Sequence, residues 1–176
     1  MGIRQYIISV RLAKYSILLL FLLTSCQTKE KDMPVQANEV EQIIKKFELT
    51  ETVKGITNFN LKADKAMLYR DKTIVYGVML NFYKNGTPYA MLTSDSGRLI
   101  TATNDMEAMG NVKVIGEEGT ELETKLLKWV NAEGKIKTMD KVVITTKDKK
   151  RIEGENFESD PGLTHIKLKK TYGYSE

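Results

Sequence analysis

A chain of 176 residues with three prolines, a single cysteine and a formal charge of +4 has the size of one domain, and it lacks the cysteine pairs of a disulfide framework or a zinc cluster. Arg4, Arg11 and Lys14 all lie in the first 25 residues, which hold no acid, so removing that segment takes the charge from +4 to +1. A nucleic-acid-binding role, which needs a basic face on the folded part, loses its electrostatic basis.

In chain order, the three cations precede an apolar run at 17–23 that ends in Thr24-Ser25-Cys26. A positive start, a short apolar centre and small residues before a cut are the plan of a secretory signal peptide over residues 1–25. A spanning helix needs roughly 20 apolar residues, more than this run supplies. Leu23-Thr24-Ser25-Cys26 resembles a bacterial lipobox, in which the cysteine is lipidated and becomes the first residue of the mature chain. Cys26 is then a lipid anchor holding the chain to a membrane, and residues 26–38 a polar tether reaching up to roughly 40 Å at ~3.3–3.6 Å per residue. The folded domain is expected over 39–176.

Residues 40–53 carry two patterns. Val40, Ile43, Ile44 and Phe47 have helical spacing, whereas Phe47, Leu49, Glu51 and Val53 alternate. Thr50, Thr52 and Val53 favour a strand over 44–53, with a short helix over 39–46 as the alternative.

Beyond residue 58 the period is two. Strands are predicted at 58–62, 66–69, 74–83, 89–94, 98–102, 111–115, 121–130, 136–139, 141–146, 150–154 and 164–169, separated by turns rich in Gly, Asn, Asp and Lys. The domain is therefore read as all-β and antiparallel with short connections. Within 74–83 the even positions Ile74, Tyr76, Val78, Leu80 and Phe82 are all apolar and predict one inward face. Further inward candidates are Tyr89, Met91, Val112, Val114, Leu122, Leu126, Val142, Ile144 and Phe157. A weak repeat marks residues 64, 95, 125 and 155, each in a short segment that interrupts or follows a strand. Spacings near 30 residues point to a wound or stacked architecture, although strands of equal length in a meander give the same period.

The residues 59–66 (FNLKADKA), 90–95 (AMLTSD), 110–114 (GNVKV) and 151–154 (RIEG), in that order behind an N-terminal membrane anchor, resemble the LptC family of periplasmic lipopolysaccharide-transport domains, over roughly 44–169. Better-known members use a transmembrane helix where this chain has Cys26. The resemblance implies a twisted antiparallel β-jelly roll whose two sheets splay into an open V, with lipopolysaccharide acyl chains carried between them. It implies no enzymatic activity and no cofactor. Its partners would be lipopolysaccharide, an inner-membrane ABC transporter and the next periplasmic jelly roll of the same family, on the periplasmic side of the inner membrane.

On that basis the groove candidates are Val78, Leu80, Phe82, Met91, Val112, Val114, Leu126, Ile144 and Phe157, a reading of the set, since each one singly is better explained as ordinary core. The partner-edge candidates are Phe47, Leu49 and Val53 at one end and Ile166 and Leu168 at the other. Catalytic chemistry has little to stand on. His165 is the single histidine, and Glu117-Glu118 and Glu153/Glu155 lie beside glycines as solvated turn charge. Trp129 fits sugar stacking or packing in the sheet.

Overall fold

Strand-forming alternation dominates the structure, a computed structural model that describes residues 39–175. Ten strands run in order: β1 (Gln42–Val53), β2 (Ile56–Leu68), β3 (Lys72–Lys84), β4 (Thr87–Ile100), β5 (Met106–Ile115), β6 (Glu121–Val130), β7 (Lys135–Thr138), β8 (Val142–Thr145), β9 (Arg151–Ser159) and β10 (Lys167–Ser175). One turn of 3-10 helix, Asn131–Glu133, follows β6. Among the described residues no helix is long and apolar enough to cross a membrane.

All ten strands belong to one antiparallel sheet, in which each strand from β1 to β6 pairs with its neighbours in sequence and β9 pairs with β10. β7 and β8 form one interrupted strand, since both pair with β6 on one side and β9 on the other. Tight turns make this meander. Val53 and Ile56 pair across Lys54-Gly55, and Lys84 and Thr87 across Asn85-Gly86, with positive φ at all four turn residues. Two such residues match the right-handed twist of a hairpin.

The fold is all-β, as the period indicated, and its plan is that of a β-jelly roll. What the sequence presents as two sheets is one sheet creased across its strands. In β2, Phe59, Leu61 and Ala63 are buried, and beyond Asp64-Lys65 the buried position becomes Ala66. In β3, Phe82, Leu80 and Val78 are buried on one side of Gly77, and Val75 and Thr73 on the other. The parity changes again in β4 between Ser94 and Gly97, in β6 between Leu122 and Leu127, and in β9 between Gly154 and Phe157.

These resets line up. Lys46 and Asp64 fall together between the pairs Lys45↔Lys65 and Phe47↔Ala63, and Gly77 and Asp95 between Tyr76↔Ser96 and Val78↔Ser94. The line continues through a register shift between Met109 and Val112 and through the gap between β7 and β8. Left-handed residues mark it at Lys46, Gly77, Gly110, Asn111 and Asn156. A left-handed residue inside a strand breaks the two-residue alternation and bends the chain.

The crease explains the repeat. Residues 64, 95, 125 and 155 lie where β2, β4, β6 and β9 cross it, on every second strand when β7 and β8 count as one. Asp64 stands over Gly77, and Asp95 over Gly110, so that a Cβ on either glycine would collide with the carboxylate. Asn111 Nδ2 also donates to Asp95 Oδ2 at 2.8 Å.

Several expectations are corrected by the same geometry. Tyr76 is 40% exposed and Ile74 only half-buried, because Gly77 resets the pleat between them and Val78. Strands predicted at 89–94 and 98–102 are one strand, β4, continuous through Asp95-Ser96. Residues 58–62 and 66–69 merge likewise into β2, and the first strand begins at Gln42 without a helix. The strand predicted at 164–169 starts instead at Lys167.

Candidate functional site

Folding the sheet on its crease brings the inner faces of its two leaves together. Phe82, from one leaf, meets Trp129, from the other, with ring centroids 4.9 Å apart and planes tilted by 56°. Rings at that distance and tilt gain quadrupolar attraction as well as buried area. Around them Leu61, Val78, Leu80 and Leu92 face Val75, Leu99, Met106, Ala108 and Leu127 across a cavity of about 20 Å³. That is room for about one water molecule, so the leaves are shut on a dry core.

Of the groove candidates, Val78, Leu80, Phe82, Val112, Val114, Ile144 and Phe157 are all buried in this interior. Met91 and Leu126 are not on the inward face. Ala90 and Leu92 take it in β4, and Leu127 and Trp129 in β6, because strict alternation from Leu122 fails at the crease. Missed by sequence reasoning were Phe59, Leu61, Leu127 and Ile136, while Trp129, read as sugar stacking or packing in the sheet, is core. Phe59 and Leu61 alternate on the page of the sequence itself; Leu127 and Trp129 become legible only once the parity reset at residue 125 is known.

The mouth opposite the crease is closed in two places. Glu51, on β1, accepts hydrogen bonds from Asn58 Nδ2 in its own leaf, and from Asn104 Nδ2 (2.8 Å) and Asn131 Nδ2 (3.5 Å) in turns of the other. Asn131 N in turn donates to Asp105 Oδ1 at 2.9 Å, and Asn131 Nδ2 to the Thr103 carbonyl. Glu51→Ala should therefore lower the unfolding free energy by about 1–3 kcal/mol, the range for removing a charged acceptor. Hydrogen exchange should show faster opening of the turns at 101–105 and 131–134; unchanged protection there would contradict the clasp.

The second closure is the segment after β9. Asp160 accepts from Thr164 N (3.0 Å), His165 N (3.0 Å), Thr164 Oγ1 (2.9 Å) and Ser159 Oγ (3.2 Å). Burial pushes its carboxyl up, but these donors, led by the Thr164 hydroxyl, hold it below the usual carboxylate range. Pro161, Gly162 and Leu163 are buried behind it, and the Gly162 carbonyl lies so close to Gly116 that a Cβ there would overlap it.

Tyr89 packs against Gly162. Burial first, then the nearby charges of Asp160 and Glu117, push its phenol up to about 12. The folded state thus favours the protonated phenol, and its contribution is present below about pH 10 and lost as pH rises towards 12. Ultraviolet titration of the native protein should show a tyrosine step near pH 12 that Tyr89→Phe removes.

Both sheet edges are single strands with one partner each, β1 on β2 and β10 on β9. Phe47 and Leu49 are half-buried against the core, whereas Val53 is 54% exposed. Leu168 packs against the core from β10, while Ile166 is exposed and precedes the strand. The outer faces are laced by ion pairs. Lys128 first, then Arg98, hold the Glu107 carboxyl below the usual range against its burial. Among the described residues no three His, Cys, Asp or Glu groups converge as metal ligands. Cys26 and the segments 1–25 and 26–38 lie outside the described residues.

No curated protein matches the chain. The family model described as "Lipopolysaccharide-assembly, LptC-related" matches residues 10–172, nearly the whole sequence. That family serves lipopolysaccharide transport at the periplasmic side of the inner membrane, as a transport bridge and not as an enzyme family. With its creased sheet and apolar interior, the chain belongs to the LptC-related lipopolysaccharide-assembly family.

Proposed function

We propose that this chain is a membrane-anchored periplasmic transfer and scaffold protein. It receives lipopolysaccharide from an inner-membrane ABC transporter between its two leaves and passes it to the next jelly roll of the same family. Lipidated Cys26 tethers it to the membrane in this reading. The observation that carries it is the apolar interior between two leaves of one sheet, bounded by the edge strands β1 and β10. Each acyl methylene moved from water into such an interior gains about 0.8 kcal/mol. Edge strands are where a partner strand adds its own ladder, and Phe47, Leu49 and Val53 on β1, with Ile166 and Leu168 beside and on β10, are the side chains offered.

With about 20 Å³ of space between the leaves, taking in an acyl chain requires them to part at the mouth. Photo-crosslinkers at Leu80, Phe82 and Val114 should capture lipopolysaccharide in cells. Absence of an adduct at all three positions, with the protein folded and membrane-associated, would refute lipid carriage.

The shut core gives specific support to a second reading, a lipid-anchored β-domain with a structural or protein-binding role in the envelope. Depletion separates the two. Loss of surface lipopolysaccharide with glycolipid accumulating at the inner membrane supports transfer, and an unchanged surface supports the structural role.

A further inference from the structure

The interior is apolar with one exception that no packing argument explains. Trp129 is 6% exposed and lines the cavity between the leaves, yet its indole Nε1 has no hydrogen-bond partner. The remaining orphan among the described residues, Arg98 Nε, belongs to a guanidinium that already bonds Glu107. Among the other buried polar side chains, Asn60 donates to Glu48 and Thr50, Ser94 to the Ser96 carbonyl, Ser159 to Asp160, and Thr138 accepts from Asp140 N. A buried donor without an acceptor costs about 1–3 kcal/mol, a cost that an apolar ring at this position would not carry.

Water does not resolve the orphan. The cavity holds about one, but a buried water needs two to four polar partners, and besides Trp129 the only charged side chains on its wall, Arg98 and Glu107, already bond each other. The indole is a donor only, so what it lacks is an acceptor. An anion is a poor fit, because the cation on the cavity wall, Arg98, is already paired with Glu107, and a further charge would be desolvated without a counter-charge. A neutral oxygen on an otherwise apolar chain meets both requirements.

We propose that Trp129 Nε1 is a recognition donor for an acyl oxygen, an ester carbonyl or a chain hydroxyl, on a lipid inserted between the leaves. Selection is then for acylated lipids over plain alkyl chains, by one hydrogen bond made only in the loaded state. The proposal rests on the reading that the interior receives lipid chains. It adds the chemical mark by which a chain is accepted.

Trp129 is the single tryptophan, so its fluorescence reports the site directly. The probes are a lauroyl monoester of glycerol and dodecyltrimethylammonium, which has the same chain length and no oxygen. With wild-type protein the ester should shift the emission to longer wavelength as the indole gains an acceptor, and the cationic surfactant should not. Trp129→Phe should weaken the ester roughly two- to tenfold, the equivalent of one net hydrogen bond, and leave the surfactant's affinity unchanged. Should the phenylalanine variant fail to fold, the isosteric benzothienyl-alanine, which replaces the N–H by sulfur, gives the same comparison. Equal loss for both probes, or none for the ester, overturns the proposal while leaving lipid carriage standing. Failure of wild-type protein to bind either probe overturns lipid carriage, and this inference with it.

Discussion

Gly77→Ala should destabilise the fold by about 2–4 kcal/mol, far more than a substitution at a half-exposed strand position usually costs. Two effects add. At φ +65 an L side chain costs roughly 1–2 kcal/mol, and the new methyl would collide with the Asp64 carboxylate across the crease. The effects separate in a cycle, because Asp64→Ala removes the collision and leaves the backbone strain. Chemical denaturation of the two single variants and the double should give a double variant less destabilised than Gly77→Ala alone. Strict additivity would mean that Asp64 does not crowd the glycine.

Phe82→Ala should cost about 3–5 kcal/mol, the range for removing a buried aromatic side chain whose neighbours relax only in part. Phe82 is 2% exposed, pairs in register with Phe59 and Ala90, and meets Trp129 across the leaves. The void would open beside the indole, so Trp129 emission should change along with the denaturation midpoint. A loss below about 1 kcal/mol would mean that the leaves close over the gap, a collapse that low cavity cost would reveal. The two substitutions probe different parts of one device: Gly77 sets the bend, and Phe82 fills what the bend encloses.

The all-β class was legible because alternation is a direct imprint of the pleat. The crease was half legible. The marks at 64, 95, 125 and 155 stood out at even spacing, but their effect on parity did not. Left-handed residues at Lys46 and Asn156 are chemically ordinary, and only Gly77 and Gly110 advertise the conformation. Strict alternation therefore placed Tyr76 and Leu126 inward, across a reset from the residues that set the parity, while Met91 was put on the wrong face of its own leaf, where Ala90 and Leu92 point inward. The strand at Lys167 was read three residues early because the turn before it is set by the Asp160 side chain, which collects donors up to five residues ahead. The Glu51 clasp joins residues 53 and 80 positions apart and leaves no local signal at all.

The unbroken passage of strands across the crease governs how the molecule can yield. Two separate sheets would slide or peel apart, each losing contact along a whole face. Here the leaves share nearly every strand, so they behave as the jaws of a sprung clip. Prising the mouth apart breaks the Glu51 hydrogen bonds and parts Gly162 from Gly116 and Tyr89, exposing apolar surface, while the backbone ladders on both jaws stay whole. The restoring force comes from the hinge residues and from the contacts waiting to re-form. A clip of this kind grips again as soon as what it holds is drawn out.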